Sequence, residues 1–114
     1  MSQCTLEQLN IGKCTPCEGG IDAISVADAQ KQLSVLDGWK LASDGKSVSK
    51  SWNRKNFVKS LAFCNAIGEL AEMEQHHPDL HLTGYRNVEI VLTTHAIGGL
   101  SLNDFIIAAK IDLL

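Results

Sequence analysis

The sequence predicts an α+β fold: a four-stranded antiparallel sheet with helices packed on one face, in the order α-β-β-α-β-β-α. Three observations carry this expectation. Two pairs of short strand-like runs each enclose a compact turn. One long helix with apolar residues at three- and four-residue intervals separates the two pairs. No connection between paired strands has room for a parallel crossover, so both pairs are hairpins.

At 114 residues the chain suits one domain around one core. Its formal charge of −3 gives no electrostatic footprint for nucleic acid or an anionic membrane. No apolar run approaches the ~20 residues of a membrane span, and the N-terminus lacks a basic-then-apolar signal. A cytoplasmic location follows as an expectation, with Cys4, Cys14, Cys17 and Cys64 reduced.

Residues 1–24 read as an irregular N-terminal arm and residues 25–114 as the single folded domain. The arm holds Cys14-Thr-Pro-Cys17 and then Glu18-Gly19-Gly20. A structural zinc site needs further ligands at similar spacing, and a redox pair belongs at a strand-to-helix junction. The arm meets neither requirement, so it reads as a packed surface segment.

Ser25-Val-Ala-Asp28 matches a capping box opening a first helix, whose apolar positions Val26, Ala29, Leu33 and Leu36 lead to Gly38. Trp39–Leu41 and Val48–Trp52 are strands joined by a polar tract with an Asp-Gly step. The long helix runs from about Asn56 to Gln75, with Phe57, Leu61, Cys64, Ile67, Leu70 and Ala71 as its core stripe. Cys64 reads as a small buried hydrophobe. Asp79–Thr83 and Val88–Thr94 flank a turn at Gly84–Asn87. Alternation along the last strand puts His95 on the face shared by Glu89, Val91 and Thr93. Gly98-Gly99 breaks that strand, and Ser101-Leu-Asn-Asp104 opens a final helix through Ile111 with a second capping box.

The chemistry-bearing stretch is Glu72-Met-Glu-Gln-His76-His77-Pro78. Pro78 disfavours the α conformation for His77, so the helix ends near Gln75 or His76. Glu72, four residues before His76, is expected to face it on the helix, with Glu69, Glu74 and Asp79 crowding around. Histidine exchanges protons near neutral pH without extensive tuning. Two adjacent imidazoles and a third, His95, from a neighbouring strand can surround one small substrate, as general acid and general base. The other readings are plainer. The pair at 76 and 77 can be solvated, Asp104 can be only a helix cap, and His81 suits a cross-strand surface position. A metal site is disfavoured, because His77 and His81 pair on a helix but not on extended chain.

Taken in order, Glu72, His76-His77-Pro78, Tyr85, Thr93-Thr94-His95, Gly99-Leu100-Ser101 and Asp104 resemble the pterin-4a-carbinolamine dehydratase family. The resemblance covers about residues 24–112, and the Cys14–Gly20 stretch is similar to the N-terminal extension of many microbial members. It implies the α+β fold, assembly as a homodimer or homotetramer, a pterin substrate, and no cofactor or metal. It also implies catalytic roles for His76, His77 and His95, supporting roles for Glu72 and Asp104, and a pterin-lining position for Gln75, Thr93 and Thr94. The implied reaction is loss of water from 4a-hydroxytetrahydrobiopterin to give quinonoid dihydropterin, in tetrahydrobiopterin recycling. This chain has Gln75 where the family often has an acid and Asn103 where it often has an arginine. One residue is inserted between Pro78 and Tyr85. Two rivals stand beside the dehydratase: a non-enzymatic protein-interaction module on the same fold, and a metal-dependent hydrolase using the histidines.

Overall fold

Each helix begins at a side-chain cap. The computed structural model describes residues 4–14 and 22–114. Ser25 caps α2 (Val26–Leu33), its hydroxyl accepting from Asp28 N–H, and Asn56 caps α3 (Phe57–Glu74) by accepting from Lys59 N–H. Ser101 sits at the N-cap of α4 (Leu102–Ile111). The strands are β1 (Lys40–Leu41), β2 (Val48–Asn53), β3 (Asp79–Thr83) and β4 (Asn87–Leu92). They form one antiparallel sheet in the order β1-β2-β4-β3, so the two hairpins meet at the β2–β4 pair.

Period-two alternation gives the sheet one dry face. Val88, Ile90 and Leu92 are completely buried, with Val48 beside them on β2, while Glu89 points outward. On the dry face lie Phe63 and Ile67 of α3 and nearly the whole of α4, including Phe105, Ile107 and Ile111. Trp39, Trp52 and Phe63 meet edge to face at 5.7 and 5.1 Å. Asp112 closes this end, accepting from the Trp39 indole at 3.0 Å and from Lys50 at 2.8 Å.

Three expectations are corrected. The arm is not irregular throughout: Leu6–Ile11 form α1, with Thr5 and Gln8 as a reciprocal capping box. Leu9 is completely buried, and Gln32 clasps the Cys4 backbone from both sides, at 2.9 and 2.8 Å. The signal was present as Thr-x-x-Gln, but a six-residue helix is too short to show periodicity.

The stripe on α3 is also rotated. Ser60, Phe63, Ile67 and Ala71 are buried, whereas Phe57 and Leu61 are exposed together with Val58. This helix is apolar on several faces, so packing rather than pattern selects which face turns inward. Cys64 is only partly buried, against the core.

Finally, β4 stops at Leu92, and His95 lies in a 3₁₀ turn (His95–Ile97) rather than on a strand. Thr94 and Gly99 pair across the base of that turn, Thr94 N–H donating to Gly99 O at 2.8 Å. A Cβ on Gly99 would meet the Ala23 methyl at 2.8 Å, so the turn needs glycine there.

Candidate active site

The way α3 ends decides where the histidines go. Gln75 adopts the left-handed conformation, φ 54° and ψ 39°, and its N–H donates to Ala71 O. His76 N–H reaches back to the same carbonyl at 3.2 Å. A left-handed conformation costs a non-glycine residue about 1–2 kcal/mol. The Gln75 side-chain amide, donating to Glu72 O at 2.6 Å, offsets part of that. The reversal carries the next residues off the helical path, and Pro78 keeps the chain from resuming it.

The expected pairing of Glu72 with His76 therefore does not form. His77 Nε2 contacts Glu72 Oε2 instead, and both side chains are well exposed. His76 turns inward, and its Nε2 lies 2.6 Å from Asp104 Oδ1. The His76 side chain is 11% exposed and that of Asp104 fully buried. The other carboxylate oxygen accepts from Thr94 Oγ1 at 2.8 Å and from Ser101 N–H at 3.0 Å. Because the Thr94 hydroxyl proton is committed to Asp104, the Ser101 hydroxyl is the donor in their 2.7 Å contact. Asp104 is thus both helix cap and histidine partner. A carboxylate only accepts, so the nitrogen facing it donates, leaving Nδ1 as the ring's other site for proton exchange.

The remaining expected site residues divide. Thr94 is buried and supports Asp104. Thr93 uses its hydroxyl to hold Lys46 O at 2.6 Å, in the β1–β2 connection. Gln75 is spent on the helix end. His95 is exposed, one peptide beyond Thr94, and no hydrogen bond joins it to His76 or His77 among the described residues. His81 is exposed on β3 opposite Glu89 of β4.

Two residues beside the site have partners that the order of residues gives no reason to expect. Glu74, expected to crowd the histidines, is bonded to other groups: its Oε1 accepts from Cys14 N–H at 2.9 Å and its Oε2 from Lys110 Nζ at 2.8 Å. The Lys110 ammonium, followed by the Cys14 N–H, holds the Glu74 carboxyl below its ordinary value. Burial, reinforced by the Glu74 carboxylate, pushes the Cys14 thiol up to about 12. At neutral pH it is a protonated thiol, not a nucleophile. Both residues lie in segments whose partners are 36 or more positions away, so local pattern carries no signal of the contact. A cavity of ≈ 560 Å³ opens here, lined by Lys13, Cys14, Met73, Glu74 and Gln75. It adjoins the histidines through Gln75.

Among the described residues no three His, Cys, Asp or Glu side chains converge to hold a metal ion. Cys17, the second half of the Cys-x-x-Cys pair, lies outside the described residues.

A family model described as pterin 4 alpha carbinolamine dehydratase matches residues 22–114. The Arabidopsis thaliana mitochondrial pterin-4-alpha-carbinolamine dehydratase 2 is 46% identical over 97% of this chain, which spans 61% of that relative's length. A Nitrosospira multiformis protein assigned to the same dehydratase family is 43% identical, over 96% of this chain and 95% of its own. Among solved structures, a transcriptional coactivator/pterin dehydratase from Brucella melitensis superposes with a TM-score of 0.75 at 25% identity. That match covers 81% of this chain and 97% of the Brucella chain.

Proposed function

Because the chain belongs to the pterin 4 alpha carbinolamine dehydratase family, a family of hydro-lyases, we propose that it removes water from a 4a-hydroxytetrahydropterin to give the quinonoid dihydropterin. The substrate of the proposal is 4a-hydroxytetrahydrobiopterin and the setting is tetrahydrobiopterin recycling. The C4a–O bond breaks as a proton is delivered to the departing hydroxyl, and a second proton leaves a ring nitrogen. The electron pair of that N–H bond restores the ring unsaturation, so no electrons enter or leave the pair of products.

The observation that carries the mechanism is the inward-facing His76, held by buried Asp104 with one ring nitrogen committed and the other left for proton exchange. In this reading His76 or His77 is the acid at the hydroxyl, Glu72 and Asp104 orient them, and His95 orients the pterin or accepts the other proton. Gln75 and the Thr93–Thr94 segment border the pterin.

The cytoplasmic location is part of the same proposal; among the described residues no helix is long and apolar enough to cross a membrane. So is a homodimer or homotetramer, for which exposed Phe57, Val58 and Leu61 on α3 supply an apolar face. Neither the interaction-module reading nor the metal-hydrolase reading has a specific observation in its favour.

Stopped-flow dehydration of synthetic carbinolamine, with a chelator present, tests the proposal. Catalysis above the spontaneous rate, unaffected by the chelator, is expected. Turnover no faster than buffer, or turnover abolished by the chelator, overturns it.

A further inference from the structure

The last residue of α3 is tied to two other segments, and both ties lead back to the catalytic pair. Glu74 stands two positions before His76. One of its carboxylate oxygens holds Cys14 N–H of the arm at 2.9 Å, and the other holds Lys110 of α4 at 2.8 Å. Cys14 in turn donates through Sγ to Asn103 O at 3.6 Å, the residue immediately before Asp104. The arm thus bridges the chain segment that presents His76 and the one that presents Asp104. It is itself anchored upstream by buried Leu9 and by the Gln32 clasp on Cys4.

We propose that Glu74, with the arm segment it holds at Cys14, is a positioning element of the site, setting the separation at which His76 meets Asp104. The inference rests on the dehydratase reading above. Nothing in this cluster touches the reacting atoms, and the Cys14 thiol, protonated at working pH, serves as a neutral donor. The Glu74 and Lys110 side chains are only 9% and 17% exposed. An ion pair withdrawn from water to that degree is weak as a source of net stability but strong as a geometric constraint. Positioning matters here because displacing a proton-transfer group by about 1 Å can cost on the order of 10²-fold in rate. The clamp also forms a wall of the cavity beside Gln75, so loosening it would move the left-handed turn that aims His76.

The test uses the full chain at a temperature well below the Tm of every variant. Glu74→Ala releases both ties; Glu74→Gln keeps an acceptor for Cys14 N–H. The expected result is a kcat about tenfold lower for Glu74→Ala, with KM changed less than about threefold. Glu74→Gln, whose NH₂ faces the Lys110 ammonium when its oxygen keeps Cys14 N–H, should fall between Glu74→Ala and the parent. The ring-nitrogen NMR signals of His76 should shift in Glu74→Ala while those of His81 stay put. A folded Glu74→Ala with parental kcat and parental His76 signals overturns the proposal. A larger loss in Glu74→Gln than in Glu74→Ala also overturns it, since releasing both ties should cost the most. Should Glu74→Ala fail to fold, Lys110→Met, which releases the α4 tie, and Lys110→Arg, which keeps it, replace it. The methionine should shift the His76 signals and the arginine should restore them; parental signals in both sink the idea. The NMR readout needs no turnover, so it judges the clamp even if the chain dehydrates nothing.

Discussion

His76 Nε2 and Asp104 Oδ1, 28 positions apart in the chain, meet at 2.6 Å between the end of α3 and the start of α4. The carboxylate is fully buried and accepts from His76, Thr94 and Ser101. An amide in its place offers one acceptor oxygen, so its NH₂ faces either the Thr94 and Ser101 donors or His76, whose ring must then present Nε2 as an acceptor. Asp104→Asn should therefore cost about 1–3 kcal/mol, several degrees in Tm, and lower the dehydration rate at least about tenfold. Calorimetry and the stopped-flow assay on one preparation check both.

The two adjacent histidines should separate by experiment. His76→Ala leaves buried Asp104 without one of its donors, so about 1–3 kcal/mol of stability should go along with the rate. His77 is exposed, and His77→Ala should stay within about 0.5 kcal/mol of the parent. Each is expected to slow dehydration by about 10²-fold or more if it transfers a proton. Combining His76→Ala with His95→Ala should cost less than the product of the single effects. Parental rates in all variants would remove the histidines from the mechanism.

Gln75 is left-handed without being glycine. Gln75→Gly should raise stability by up to about 1 kcal/mol, less the lost bond to Glu72 O. A fall in Tm would show that the side-chain bond outweighs the backbone strain.

Glu74 gives stability a defined acid dependence. Its folded value is lowered, so its contribution is present above the ordinary value of 4.5 and is lost as pH falls through the lowered one. The Tm gap between parent and Glu74→Gln should close on acidification below about 4.5. Cys14 has the opposite sign. Its raised value leaves stability intact below the ordinary 9.0 and erodes it as pH climbs toward 12. Cys14→Ser, which does not titrate there, should flatten that alkaline fall. Tm measured from pH 3 to 11 checks both arms.

The apolar face of α3 carries the assembly proposal. Leu61→Glu should shift the protein toward monomer in sedimentation with little loss of monomer stability, because Leu61 is 42% exposed in the single chain. An unchanged assembly would rule out this face.

Elements whose signals are local were legible in the order of residues. Asn56 and Pro78 bounded the long helix, Asp79–Thr83 was legible as a strand, and Ser101 with Asp104 marked the start of the final helix. Each is marked by a short local run of residue types, which the order of side chains encodes directly. The rest depended on how distant segments pack. Spacing paired Glu72 with His76, but one left-handed residue at Gln75 redirected His76 to Asp104 and left Glu72 to His77. Spacing also put Phe57 and Leu61 in the core, where packing chose Ser60 and Phe63. The clamp joining Cys14, Glu74 and Lys110 spans 36 to 96 positions and leaves no periodic trace. A contact of that range depends on how whole elements pack, and packing is settled by the fit of all of them together.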